Sequence, residues 1–295
     1  MKRMNVPIEN GNANGITDHD LVELRHAIEN RSGIRFDESR TRFLSARVRQ
    51  HMSERGMTHP SELLKLVRGS NAEYERLLER VLTQETSFFR YPAMYHALDT
   101  RVLPELHAKK FWNNPRTLRI WSAGCSTGEE PYSIALTVLK ALELPEAWSI
   151  EILATDISRK ALDVAERGHY SKRELEAISA EQLQAHFSAA GSDGYRVKPK
   201  LRNMINFAQM NLAQMVYMGR FDCIFCMNVL IYFSDELRAA LIRRFYEYLE
   251  PDGYLFLGHA ESVAQAKVDL EPIVIDDSLI YRKASAARAA MQEVL

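Results

Sequence analysis

From Leu118 to Ser133 the chain reads Leu-Arg-Ile-Trp-Ser-Ala-Gly-Cys-Ser-Thr-Gly-Glu-Glu-Pro-Tyr-Ser, and no other stretch restricts the fold as tightly. The apolar run Leu118–Trp121 predicts a buried strand, which stops at a small-residue turn from Ser122 to Gly128. Glu129, Glu130 and Pro131 then open an apolar-periodic helix through Ile134, Ala135, Val138 and Leu139. Pro131 suits a first helical turn, where its missing N–H is not needed. Strand, glycine turn and helix form the opening unit of a nucleotide-binding α/β sheet. The glycines let a ligand approach the backbone, and the N–H groups of the helix start face it.

Gly124 and Gly128 are spaced G-x-x-x-G, which is neither the dinucleotide fingerprint nor a phosphate loop ending in Gly-Lys-Ser/Thr. Two carboxylates after the second glycine would repel a pyrophosphate. They suit a ligand with a positive or hydrogen-bonding part, such as the amino group and sulfonium of S-adenosylmethionine. They equally complement the positive end of a helix.

With 295 residues, 26% of them charged, the chain has the length of one large domain or two unequal ones. A net charge of −1 argues against a general nucleic-acid binder. Three cysteines, Cys125, Cys223 and Cys226, suggest a reduced cytosolic setting, and no apolar run reaches membrane-spanning length. Cys223 and Cys226 form C-x-x-C inside an expected buried strand without a second ligand pair, so core cysteines are expected and no metal. Residues 1–16 read as a loose tail, as do 284–295.

Residues 17–90 show no strand pattern and read as a helical domain. Thr17 is expected to cap a first helix buried through Leu21, Val22, Leu24 and Ile28, with Gly33 near its end. A second, from about Asp37, carries Phe43, Leu44, Val48 and Met52 on one face. Arg42 and Arg49 fall on the opposite face, with Arg40 and Arg47 flanking it. From 31 to 55 there are seven arginines against Asp37, Glu38 and Glu54, which reads either as a solvated face or as a docking surface for an acidic helical partner. Further helices are expected from about Ser61 and over Glu73–Thr83. Thr86-Ser-Phe-Phe-Arg90 follows, and Arg90 there needs an anionic partner at a partly desolvated boundary. Residues 91–116 read as a linker helix kinked at Pro104.

Beyond the glycine turn, Ser149–Thr155 predicts a second strand ending at Asp156, placed to accept ribose hydroxyls or simply to cap the helix Arg159–Arg167. Residues 168–204 break the rhythm, and about 180–204 of them read as a small antiparallel insertion, with a helix near Ala180–Phe187 and alternating stretches at Tyr195–Pro199 and Met204–Ala208. Ile205–Met210, Phe221–Cys226 and Tyr254–Gly258 continue the parallel sheet, and Ile273–Ile275 with Leu279–Arg282 closes it. Ligands bind at the carboxyl ends of such strands, so Gly124, Asp156, Asn211 and Asn228 are expected to share one crevice.

Thr86–Arg90, Gly124–Ser133, Ala154–Ile157, Phe221–Phe233 and Pro251–Ser262 together resemble the chemotaxis receptor methyltransferases, over about residues 17–283. The resemblance implies a Rossmann-like methyltransferase sheet at 117–283, an all-helical N-terminal domain and a small inserted β-subdomain. It implies methyl transfer from S-adenosylmethionine, leaving S-adenosylhomocysteine, to glutamates of bacterial chemoreceptors in the cytoplasm. Carried over by position, Gln84, Thr86 and Arg90 contact the cofactor from the interdomain segment. Glu130 meets its methionine part, Asp156 the ribose, Asn211 and Leu212 the adenine side, and Met227 and Asn228 flank the methionyl group. Arg90 and Tyr232 stand beside the transferred methyl. Arg40, Arg42, Arg47 and Arg49 become the docking face for the receptor's acidic methylation helices. Gln84 stands where relatives carry Asn, and Met227 where they often carry Arg. The Phe187–Tyr195 connection is shorter than in members that grip a receptor C-terminal peptide, which suggests independence of that tether. A nucleic-acid methyltransferase is disfavoured because Asn228-Val-Leu-Ile-Tyr232 lacks prolines, and a nicotinamide oxidoreductase by the glycine spacing. A non-catalytic cofactor-binding module is disfavoured by Arg90 and Tyr232.

Overall fold

A computed structural model describes residues 18–113, 115–192 and 194–284. The Thr17 cap, the tail at 1–16 and the tail beyond 284 lie outside the described residues. The chain divides into two compact units between Thr83 and Gln84, seven residues earlier than the expected end of the helical domain at 90.

The first unit holds α1 (Asp18–Ser32), α2 (Glu38–Glu54), α3 (Pro60–Gly69) and α4 (Asn71–Val81). Asp37 caps α2 by accepting from Arg40 N, and Ser70 caps α4 by accepting from Glu73 N. Leu24, Ile28, Leu44, Val48, Leu63, Val67 and Leu77 form its core. Val22, expected in the buried stripe, is 37% exposed. Successive helical residues are about 100° apart, so the face of Leu24 and Ile28 turns Val22 outward. Glu73 is buried at the α2–α4 contact, where His51, Arg55 and Arg76 reach its carboxylate at 3.0, 3.1 and 3.1 Å. Burial opposes the charge on Glu73, but these partners hold its pKa below the usual value.

The second unit opens with α5 (Pro92–Ala97), a π turn (Leu98–Val102) and α6 (Leu103–Lys110). Pro104 lacks an N–H and its ring clashes with the carbonyl four residues back. The π turn takes up that mismatch, with Leu103 N donating to Leu98 O, so the expected kink is a local widening of a continuous helix.

The strands, in chain order, are β1 (Arg116–Ala123), β2 (Trp148–Asp156), β3 (His169–Ser171), β4 (Phe187–Ala189), β5 (Gly194–Val197), β6 (Ile205–Gln209), β7 (Phe221–Cys226), β8 (Leu249–Leu257), β9 (Leu270–Ile275) and β10 (Ser278–Lys283). The later helices are α7 (Glu129–Ala141), α8 (Arg159–Arg167), α9 (Ala180–His186), α10 (Pro199–Arg202) and α11 (Asp235–Tyr248). The main sheet has the order β6-β2-β1-β7-β8-β10-β9, parallel from β6 to β8, with β10 antiparallel to both of its neighbours. The order reverses between β1 and β7, which creates a ligand crevice at their carboxyl ends.

Trp121 on β1 is fully buried and donates its indole N–H to Thr155 Oγ1 at 2.9 Å, locking β1 to β2 near that edge. Every residue of β7 is buried, as in a sheet covered on both faces. Cys223 and Cys226 are free thiols within it, and three residues apart in a strand they face opposite sides.

The small sheet, ordered β3-β5-β4, is antiparallel and begins at His169, inside the 168–204 interruption and ahead of the insertion expected at about 180–204. Residues 205–209, partly expected in the insertion, instead form β6 and pair parallel to β2. Three-residue strands such as β3 and β4 are too short to show a two-residue period, so their pairing is a tertiary outcome.

Candidate active site

The glycine turn between β1 and α7 is pinned from β2. Gly124 N and Cys125 N both donate to Thr155 O, at 2.7 and 2.9 Å, and Ser126 N donates to Asp156 Oδ2 at 2.8 Å. Gly124 has φ +91, and a Cβ there would stand 2.4 Å from Val229 Cγ2. Gly128, at φ +101, precedes α7, and a Cβ there would stand 2.7 Å from Ala165 Cβ and 2.8 Å from the Tyr170 hydroxyl. Both positions therefore require glycine for conformation and for space. Tyr170, from β3, donates its hydroxyl to Thr127 O at 2.7 Å, so the small sheet braces the turn.

The two carboxylates after the turn take different environments. Glu129 is buried and accepts from Thr127 Oγ1 at 2.7 Å, and burial raises its pKa. Glu130 accepts from Ser122 Oγ at 2.7 Å. Burial pushes its carboxyl up to about 7, opposed by the Ser122 hydrogen bond and the Arg90 charge and assisted by the negative Glu261. A carboxyl held near neutrality at a crevice marks a site built to meet a cation.

Asp156 ends β2. Its Oδ1 accepts from Ser158 N at 2.8 Å, and its Oδ2 from Ser126 N. The cap of α8 is Ser158, whose Oγ accepts from Ala161 N at 3.0 Å, so capping does not explain Asp156. Ser158 Oγ also receives the Gln84 side-chain amide at 2.9 Å, bringing Gln84 to this edge. Met210 N donates to Asp156 O at 2.8 Å, joining the end of β6. There Asn211 Oδ1 accepts from Ala213 N at 2.9 Å and starts a short turn containing buried Leu212.

At the end of β7, Met227 is buried in the main core and Asn228 adopts φ +61. Asn228 Oδ1 is buried without a hydrogen-bond partner among the described residues, as is Ser126 Oγ. Tyr232 follows in the turn Leu230–Tyr232 and is half-buried. Thr86 is half-buried at the start of the segment that reaches Arg90. Phe88 packs edge-on to Tyr170 at 4.9 Å, and Phe89 N donates to Ser133 Oγ at 2.9 Å, which anchors that segment on β3 and α7. Arg90 Nη1 donates to Glu85 O at 2.6 Å, its Nη2 lies 3.6 Å from the Glu85 carboxylate, and the side chain is 33% exposed. Phe89, Tyr91, Ser126 and Asn228 all hold positive φ, a clustering of backbone strain typical of functional sites.

Three contributors escape sequence reasoning as site residues. Ser122 holds Glu130, Tyr170 holds the glycine turn, and Glu261 accepts from Gly258 N and Asn228 N at 2.6 and 3.0 Å. Glu261 lies in the stretch Pro251–Ser262 that carries the family resemblance, and its position just past a strand end was the available signal. Tyr170 had none, since its strand pairs only across the small sheet.

A parallel sheet reversing at β1 and β7, a G-x-x-x-G turn and an acidic residue ending β2 define a methyltransferase of the S-adenosylmethionine-dependent class. The residues fit that cofactor on their own chemistry: two glycines give backbone access, the Glu130 carboxyl suits a cationic group, and Asn228 Oδ1 and Ser126 Oγ are buried acceptors with unused capacity. The chain belongs to the CheR methyltransferase family. Residues 84–277 match the CheR methyltransferase SAM binding domain, and 19–82 the CheR methyltransferase all-alpha domain. Chemotaxis protein methyltransferase 1 of Pseudomonas aeruginosa is 33% identical, with 89% of this chain and 97% of that protein covered. Chemotaxis protein methyltransferase 2 of Vibrio cholerae is 34% identical over 85% and 88% of the two chains, and the chemotaxis protein methyltransferase of Borreliella burgdorferi 32% over 84% and 89%. The chain is thus an S-adenosylmethionine-dependent methyltransferase of chemotaxis. Among the described residues no helix is long and apolar enough to cross a membrane.

Proposed function

We propose that this chain methylates glutamate side-chain carboxylates of chemoreceptors, producing glutamate methyl esters. The observation that carries the reading is Arg90, a partly exposed guanidinium that pairs with Glu85 and lies within electrostatic reach of Glu130. A cation there attracts an anionic acceptor and would repel a protonated amine.

When bound, S-adenosylmethionine would supply an electrophilic methyl on a sulfonium, for which a carboxylate oxygen is the nucleophile and the sulfur of S-adenosylhomocysteine the leaving group. A glutamate carboxylate is ionised at neutral pH, so the chain needs no general base. Its residues act by positioning. Glu130 would hold the methionine part of the cofactor with Asn228 flanking it, Asp156 the ribose, and Asn211 and Leu212 the adenine side. Gln84 and Thr86 would contact it from the segment before Arg90, Gly124 would give it access to the backbone, and Met227 would flank the methionyl group. Arg90 would orient the acceptor carboxylate, and Tyr232 would offer its hydroxyl or ring face to the sulfonium.

Docking falls to α2 of the helical unit. Arg31 and Arg55 of the arginine-rich stretch serve that unit itself, on Asn71 and Glu73. Arg42 and Arg47 are exposed and Arg40 and Arg49 half-exposed, a row suited to the acidic methylation helices of a receptor. The reading includes independence of a receptor C-terminal peptide, and micromolar binding of such a peptide overturns that part.

The test uses methyl-labelled S-adenosylmethionine with receptor fragments. Label on the receptor released as methanol by mild base is the expected result. Label that resists base identifies nitrogen methylation and removes the carboxylate.

A further inference from the structure

Glu261 lies four residues beyond β8 and is 9% exposed. Its Oε2 accepts from Gly258 N at 2.6 Å and Asn228 N at 3.0 Å, and its Oε1 from Ile231 N at 3.3 Å. One carboxylate thus ties the end of β8 both to Asn228 and to the turn that carries Tyr232. The packing leaves no slack, because a Cβ on Gly258 would stand 2.9 Å from Asn228 N and 2.9 Å from Glu261 Oε2. Asn228 sits at φ +61, where its N–H leaves the strand ladder and needs another acceptor, and its own Oδ1 is buried without a partner among the described residues.

We propose that Glu261 is the positioning residue of the methyl-transfer site: it fixes Asn228 in the left-handed conformation, keeping the buried amide oxygen available to the methionyl end of the cofactor, and it fixes the Tyr232 turn. The inference rests on the assignment of Asn228 to the cofactor and not on the identity of the methyl acceptor. Amide bonds to a carboxylate are charge-assisted and strong. A glutamine in its place loses the charge and turns an NH2 donor toward backbone donors, so the same shape no longer satisfies the same three amides.

The experiment is calorimetric titration of the full chain with S-adenosylhomocysteine, for wild type, E261Q, N228A and the double variant. E261Q is expected to weaken binding about tenfold, the scale of one well-placed hydrogen bond. The same substitution in the N228A background is expected to weaken it less than about twofold, since residues acting through one another are non-additive. A residue that merely braces the fold would lower the melting temperature and leave affinity unchanged, or add its full effect in both backgrounds. Either result overturns the proposal. Should E261Q fail to fold, E261D is titrated in both backgrounds under the same criteria. Unchanged affinity in N228A alone also overturns it, by removing Asn228 from the cofactor, while the base-lability test of the methyl ester stands apart.

Discussion

Ser122 Oγ donates to Glu130 Oε1 at 2.7 Å, joining the last residues of β1 to the first turn of α7. The bond only partly offsets the burial that raises the Glu130 carboxyl from 4.5 to about 7. In the unfolded chain Glu130 ionises near 4.5, whereas in the folded chain it keeps its proton up to about 7. Between those values the folded state holds more protons, so this group costs stability as pH rises through the window and nothing more changes above it. The full loss is roughly 3 kcal/mol. In urea titrations, Glu130→Gln is expected to gain on wild type steadily from pH 4.5 to 7 and to stay ahead at pH 8. A difference that does not vary with pH would show that Glu130 ionises normally.

The same carboxyl answers to Arg90, whose positive charge holds its pKa down. Arg90→Ala is expected to cut turnover at least about 100-fold, the scale for removing a preorganised charge at a reacting centre. It should also move the acidic limb of S-adenosylmethionine binding to higher pH, because Glu130 then ionises later. Near-normal kcat takes Arg90 out of the mechanism.

Tyr170→Phe deletes a single oxygen that bonds to Thr127 O in the glycine turn. The ring keeps its packing against Phe88 and Tyr132, so the stability loss should stay near 1 kcal/mol. Affinity for S-adenosylhomocysteine is expected to fall severalfold, because the turn it braces lines the crevice. Lost stability with unchanged affinity would reduce the hydroxyl to a structural brace.

Arg42→Glu combined with Arg49→Glu reverses two charges on α2. Receptor methylation should weaken mainly through KM and become less salt-sensitive, with S-adenosylhomocysteine affinity unchanged. Parallel loss of both measurements means misfolding rather than impaired docking.

The parallel strands, the glycine turn and the acidic end of β2 were legible because each rests on local chemistry. A short, mainly apolar run, a pair of glycines four apart, or Asp156 following a strand carries its meaning within a few positions. The Pro104 kink was legible as a disturbance but not in its form, since the sequence marks a missing N–H and the ladder decides how to absorb it. Val22 was misplaced because a helix with apolar residues at 21, 22, 24 and 28 does not say which of two neighbouring faces will meet α3.

The individual strands of the small sheet are not legible in the sequence for a related reason. His169–Ser171 and Phe187–Ala189 become strands only by pairing with Gly194–Val197. Short segments have weak preferences of their own, and long-range pairing settles them.

By itself, then, the sequence determined the sheet's parallel strands, the helical composition of the first unit and the residue types gathered at the glycine turn and the strand ends. These follow from periodicity, turn chemistry and charge, all of them local. Tertiary structure alone decided which carboxylate is buried with a hydroxyl and held near neutrality, and that Tyr170 supports a loop 43 residues away. It also decided that Glu261 gathers the amides of Gly258, Asn228 and Ile231. A pKa and a shared acceptor depend on what lies within a few ångströms in space, and separation along the chain does not encode that.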